Sequence, residues 1–228
     1  MQVIYEDNHI IIVDKESGEI VQGDKTGDKP LSETVKDYIK TVHAKPGRVF
    51  LGVVHRLDRP VSGVVVFAKT SKALTRLNMM FRDGLVRKTY WAIVQGAPPK
   101  KEETLSGWIT RNEKQNKSYF RHQETTGAKK ACLTYRLLNR TERYSLLEVM
   151  LHTGRHHQIR CQLAAIGCPI KGDLKYGAKR SNPDGSISLL ARKVVFQHPV
   201  SHLEITAVAH VPEDNLWKDI TQESASHD

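Results

Sequence analysis

The chain has 228 residues, enough to bury a real core in one large domain or two small ones. Lys and Arg total 35 against 25 Asp and Glu, a formal charge of +10 that favours a polyanionic partner through counterion release and also fits an ordinary basic enzyme. No run of about 18 apolar residues and no basic-then-apolar N-terminus occurs, which excludes a transmembrane helix and a signal peptide, and Cys132, Cys161 and Cys168 form no CxxC pair, which suggests buried thiols in a reducing cytoplasm.

The first predicted strand is His9-Ile10-Ile11-Ile12-Val13-Asp14, followed by a polar loop with Gly18, Gly23 and Gly27. Leu31, Val35, Tyr38 and Val42 recur at helical spacing and predict a helix that Pro46-Gly47 stops. Residues 49–54 and 61–68 read as buried strands separated by a polar turn with Arg56, Asp58 and Arg59. Ser71 is placed to cap the next helix, whose apolar face is Leu74, Leu77 and Phe81.

Residues 86–94 predict a strand with Lys88 and Tyr90 on one face, because strand side chains alternate. Further strands are expected at 105–110, 118–121, 131–138 and 145–151, with the basic stretch 111–130 read as either an RNA-contacting insertion or a solvated hairpin, the latter slightly favoured. After Thr153-Gly154 a helix is expected over 155–166, with Ile159, Leu163 and Ile166 as its buried stripe, closed by Gly167. Late strands at 188–196 and 203–209 and a short helix at 212–220 complete the chain. Strands outnumber helices and come in runs, which predicts an α+β fold with a mixed, largely antiparallel central sheet and flanking helices.

Three stretches carry candidate chemistry. Asp58 is an acidic residue among cations in a turn flanked by apolar strands; such a carboxylate is either catalytic or a structural partner of a nearby Arg. In Leu151-His152-Thr153-Gly154-Arg155-His156-His157-Gln158-Ile159-Arg160 a strand ends and a helix begins, placing Arg155, His157 and Arg160 where anions are favoured. That stretch reads as a phosphate anchor, as part of a catalytic site or, less well, as a metal site, since no HExxH spacing occurs. In Arg87-Lys88-Thr89-Tyr90 the tyrosine suits stacking on a base, hydrogen bonding, or simple half-burial in a sheet.

Together these stretches resemble the RluA-type RNA pseudouridine synthases. The first pattern is His55-Arg56-Leu57-Asp58, two residues, then Val61-Ser62-Gly63 and a strand ending Phe67-Ala68-Lys69. Lys88-Thr89-Tyr90-Trp91-Ala92, Thr153 to Arg160, Gly172-Asp173-Leu174-Lys175-Tyr176-Gly177 and the late Leu190-Ala191 through His198-Pro199 also match, so the resemblance spans roughly residues 3 to 211. The chain departs from the family where Lys-Pro-x-Gly is usual, with Lys15-Glu16-Ser17-Gly18, and has Val61 where Thr is usual.

The resemblance implies the family's catalytic fold as a single domain over 1–221, with no separate N-terminal RNA-binding domain and a disordered tail over 222–228. It implies Asp58 as catalytic carboxylate, Arg160 in an ion pair with it, Tyr90 against the target base, Ile159 packed nearby, and Arg56 entering the RNA helix in place of a flipped-out nucleotide. Lys88, Arg155 and His157 are further candidates for RNA contact. The implied partner is structured ribosomal or transfer RNA, met in the cytoplasm by a monomer without membrane attachment. Because the reaction moves one glycosidic bond within a nucleotide, no redox cofactor or metal is expected. A silent RNA-binding protein and a histidine nuclease built on His55, His156 and His157 are the rival readings.

Overall fold

The computed structural model describes residues 1–24 and 26–222. Among these are eleven strands and four helices, and the sheet is mixed and largely antiparallel. The chain divides into two compact units: Met1–Val86 with Lys193–His210, and Arg87–Arg192 with the segment from Val211. Of the expected tail, Gln222 ends a helix and 223–228 lie outside the described residues.

In the first unit β1 (Gln2–Glu6) and β2 (Ile10–Lys15) form a hairpin that the sequence reading only half anticipated, β1 being missed. Asp7 closes the hairpin, its carboxylate accepting the Ile10 and His9 amides at 2.8 and 2.7 Å. β2 pairs with β4 (Ser62–Ala68) with Ile12 opposite Val66. Ile10–Val13 and Val64–Ala68 are buried without alternation, as strands covered on both faces require.

The predicted strand over 49–54 shrinks to β3 (Gly52–Val53). Beyond Val53 the ladder position on β4 is taken by a side chain, His55 Nε2 accepting the Val66 amide at 3.0 Å. A Cβ on Gly52 would lie 2.8 Å from both methyls of Leu74, so the Leu74 side chain would have to shift to admit one. In α1 (Leu31–Val42) the buried stripe is Leu31, Val35 and Ile39; Val42, assigned to that stripe by spacing, is 56% exposed. The cap of α2 (Ser71–Arg82) is Thr70 rather than Ser71, its hydroxyl accepting the Ala73 amide at 3.2 Å.

The second unit contains β5 (Arg87–Gln95), β6 (Glu102–Asn112), β7 (Lys117–Arg121), β8 (Lys129–Arg140) and β9 (Tyr144–Leu151), in the order β5-β9-β8-β6-β7. The stretch 111–130 is therefore a built hairpin leading into a long strand. β10 (Leu189–Gln197) starts in this unit and ends in the first, where it pairs with β11 (Glu204–Val208). α3 (Gln158–Ala165) begins three residues later than the sequence suggests, because His157 holds a left-handed backbone, φ 51°. Arg155 and His157 thus belong to the turn before the helix. α4 (Asn215–Gln222) packs Trp217 and Ile220 inward. No helix among the described residues is long and apolar enough to cross a membrane.

Candidate active site

Asp58 sits half-buried in the turn between β3 and β4, behind buried Leu57, while Arg56 is exposed. The turn is closed by the Val61 amide donating to the Asp58 carbonyl at 3.0 Å. The following carbonyls of Arg59, Pro60 and Val61 are taken up by the end of β2 and the segment after it. Gly18 N donates to Arg59 O at 2.9 Å and Ser17 Oγ to Pro60 O at 3.3 Å. Lys15 Nζ donates to Glu16 O at 2.9 Å, Arg59 O at 3.1 Å and Val61 O at 2.6 Å.

Lys15 is 1% exposed, and those three carbonyls match the three donors of an ammonium group. Burial pushes its pKa down to about 8, against the pull of the Glu19 and Asp58 carboxylates. The Lys15-to-Gly18 stretch, noted from sequence only as a departure from the family pattern, is thus the bracket that fixes the Asp58 backbone. A lysine ending a continuous apolar strand, in register with inward residues, was the available signal. Lys15→Met leaves the Glu16 and Val61 carbonyls without their donor, and should lower stability by about 2–6 kcal/mol at 1–3 kcal/mol per unmade buried bond, read as a shifted urea midpoint at unchanged slope.

His55 and Arg59 complete the surroundings of the turn. The His55 ring stacks on Phe81 at 4.8 Å while accepting from Val66, so the ring anchors the turn. Arg59 pairs with Asp28 and donates to Thr26 Oγ1 at 3.1 Å, and this pairing holds the Asp28 carboxyl below its usual range.

In the second unit β5 places Lys88 and Tyr90 on one face, with Tyr90 opposite Val149 of β9. A Cβ on Gly154 would lie 3.8 Å from Lys88 Nζ, so β5 and the 153–157 turn meet there. Burial lowers the Lys88 pKa. Gln158 cinches the turn: its Oε1 accepts from Thr153 Oγ1 at 2.8 Å and the Arg155 amide at 3.0 Å, and its Nε2 donates to Cys132 O at 3.1 Å. Arg155 is exposed and donates from Nε to Lys130 O at 2.8 Å.

Arg160 and Ile159 lie in the first turn of α3, both buried. Arg160 forks onto Asp173, Nε to Oδ2 at 2.7 Å and Nη2 to Oδ1 at 2.9 Å, and its guanidinium lies over the Tyr176 ring at 5.1 Å. Asp173 is 1% exposed. It stands in the quoted Gly172–Gly177 stretch, yet no role was read for it from sequence. A fixed bidentate carboxylate orients a guanidinium that still has other donors in its fork.

His157 is interior rather than on an exposed surface. Its Nδ1 meets the Tyr176 hydroxyl at 2.9 Å, and the same hydroxyl accepts the Ser118 amide at 2.8 Å. Burial first, then the charge of Arg160, pushes its pKa down to about 2. The folded value lies below the ordinary 6.5, so between these pH values the unfolded chain binds more protons and stability falls as acid is added. His157→Gln, which does not titrate, should flatten that acid limb in unfolding curves taken at stepwise lower pH. The remaining histidines of the stretch are separately engaged: His156 with Ser118 Oγ at 2.8 Å and Asn116 Oδ1 at 3.1 Å, His152 with Thr134 Oγ1 at 2.9 Å.

The structure thus gathers Lys88, Tyr90, Arg155, His157, Ile159 and Arg160 in the second unit, and Arg56 and Asp58 in the first. The family model for RNA pseudouridylate synthase matches residues 9–165, which include Asp58, Tyr90 and Arg160. An uncharacterized RNA pseudouridine synthase of Synechocystis is 32% identical over 216 residues, 93% of this chain and 66% of its own length. The ribosomal large subunit pseudouridine synthase D of Xylella fastidiosa is 33% identical over 228 residues, 94% of this chain and 67% of its own. The chain therefore spans about two thirds of the length of the curated relatives it matches. The structure of human RNA pseudouridylate synthase domain containing 4 shares the fold, with a TM-score of 0.78 at 23% identity over 95% of this chain and 90% of that one. The mixed, largely antiparallel sheet, the family match and the relatives agree: this chain belongs to the RluA-type RNA pseudouridylate synthases, a family of isomerases.

Proposed function

We propose that this chain isomerises uridine to pseudouridine in RNA, with Asp58 as the catalytic carboxylate. The observation that carries the reading is the Asp58 turn, a half-buried carboxylate whose backbone is fixed by Lys15, Ser17 and Gly18 within the family-matched region. Preorganisation of this kind lets a carboxylate act without reorganisation at the moment of reaction.

The reaction breaks the bond from ribose C1′ to uracil N1 and forms one from C1′ to C5. The C5 proton is lost and N1 gains one, so nothing is oxidised or reduced. An ionised Asp58 attacks or stabilises the electron-poor centre. Arg160, oriented by Asp173, pairs with Asp58 and favours its charged form. Tyr90 and Ile159 wall the base and exclude water. The target nucleotide is flipped out of its helix, with exposed Arg56 filling the space left behind. Lys88 and Arg155 contact the RNA backbone; His157, interior and neutral, supports the turn that carries Arg155.

Ribosomal RNA is the favoured substrate, because curated relatives carry the name ribosomal large subunit pseudouridine synthase; transfer RNA is the alternative. The reading places the chain in the cytoplasm and acting as a monomer. Its test is tritium release from ribosomal and transfer RNA labelled at uracil C5, with mass spectrometry of the product. Release with intact RNA of unchanged mass supports the isomerase, whereas cleaved RNA would support the histidine nuclease instead.

A further inference from the structure

We propose that the outward face of the β7-β6-β8 sheet is a stacking platform for unpaired RNA, with Trp108 and Tyr119 as its bases' partners. The proposal rests on the reading of RNA as substrate and adds where an unpaired segment is held.

Register and alternation define the face. Thr110 lies opposite Tyr119, and Trp108 lies opposite Arg121 on β7 and Lys130 on β8. Trp108 and Tyr119 are therefore diagonal neighbours, roughly 7–8 Å apart at the backbone, within reach of two neighbouring bases. Tyr119 is 39% exposed, and its hydroxyl donates to Gln115 Oε1 at 2.6 Å, which restrains the ring. The opposite face of the hairpin is buried: Ile109 and Phe120 pack with Ala131, Cys161 and Tyr176.

This burial makes the hairpin rigid. Ser118 is tied through its amide to Tyr176 and through its hydroxyl to His156. A Cβ on Gly107 would lie 2.6 Å from the Phe120 ring and 2.5 Å from the Arg121 carbonyl, so only glycine admits the close crossing. A platform held out this firmly loses little conformational entropy on binding.

Charge selects the occupant. On this face Arg121 and Lys130 flank Trp108 across both ladders, and Lys117 follows the alternation of Tyr119. Lys130 Nζ lies 5.7 Å from the Trp108 ring centre. Lys117 Nζ lies 5.6 Å from that of Tyr119 and 5.2 Å from that of Tyr176. Aromatic rings interleaved with cations on an antiparallel sheet suit exposed base faces joined by phosphates. A paired helix, whose base faces are covered, offers them only charge. Arg155 donates to the Lys130 carbonyl and so joins this face to the turn before α3.

The test uses the full chain, fluorescence anisotropy, and a 12-nucleotide uridine-rich single strand beside a duplex of the same length. Tyr119→Ala and Trp108→Ala should each weaken single-strand binding about fivefold to a hundredfold, with duplex binding nearly unchanged, while Tyr119→Phe and Trp108→Phe restore it. Tritium release from a minimal stem-loop should keep its kcat in Tyr119→Ala. Unchanged single-strand affinity in both alanine variants would overturn the platform, as would equal losses for strand and duplex, or displacement of the strand by an acidic peptide. If the parent modifies RNA but these variants bind normally, the platform fails alone; if the parent neither binds nor modifies RNA, the substrate reading fails with it.

Discussion

Asp58→Asn should reduce tritium release from C5-labelled RNA by about four orders of magnitude or more, the scale seen when a group acting covalently or as the essential charge is removed. The substitution preserves shape and leaves the backbone bracket of Lys15, Ser17 and Gly18 in place. RNA affinity should therefore stay within a few-fold of the parent in filter binding, and the thermal midpoint should move little. Removing the carboxylate also removes one of the charges that hold the Lys15 ammonium in its protonated form, so the Lys15 pKa should fall further below about 8. Retained turnover in Asp58→Asn would remove the carboxylate from the mechanism. Loss of turnover together with loss of binding would recast the turn as an RNA anchor.

The second large effect is expected at Asp173. Its pair with Arg160 has side-chain exposures of 1% and 7%, and both hydrogen bonds run in parallel. Asp173→Asn removes the buried charge that takes two parallel hydrogen bonds from the Arg160 guanidinium, which costs on the order of 3–5 kcal/mol. Urea unfolding should show it as a lower midpoint at unchanged slope. The same change frees the guanidinium from its clamp, so kcat should fall by more than KM rises. Arg160→Lys keeps the charge but not the planar fork, and should fail to restore kcat. If Asp173→Asn and Arg160→Lys lower stability alone and leave kcat intact, Arg160 is structural and its proposed pairing with Asp58 is wrong.

Much of the fold was legible because long apolar runs leave few choices. Ile10 to Val13 and Val64 to Phe67 can satisfy their surfaces only as buried strands, and the fold pairs them with one another. The misses lie where tertiary contacts overrode pattern. The strand read over 49–54 keeps only Gly52 and Val53, and beyond Val53 the His55 ring takes the ladder position of the next residue. Helix α3 started late because His157 takes a left-handed backbone, and the Gln158 side chain bonds back onto the 153–155 turn. Val42 kept helical spacing but fell in the last turn, where nothing covers it.

The sequence by itself determined the family and the residues that carry its motifs, because Asp58, Tyr90 and the Thr153-to-Arg160 stretch are local patterns readable without coordinates. It also determined the basic charge, which any fold would display. Only the tertiary structure decided what supports those residues. Lys15 lies 43 positions before Asp58, and Asp173 lies 13 after Arg160; nothing in spacing couples either pair. The reason is that a buried charge must be matched by whatever oxygen atoms folding brings within reach. For Lys15 these are three carbonyls of the Asp58 turn and its neighbour, and for Arg160 the carboxylate of Asp173.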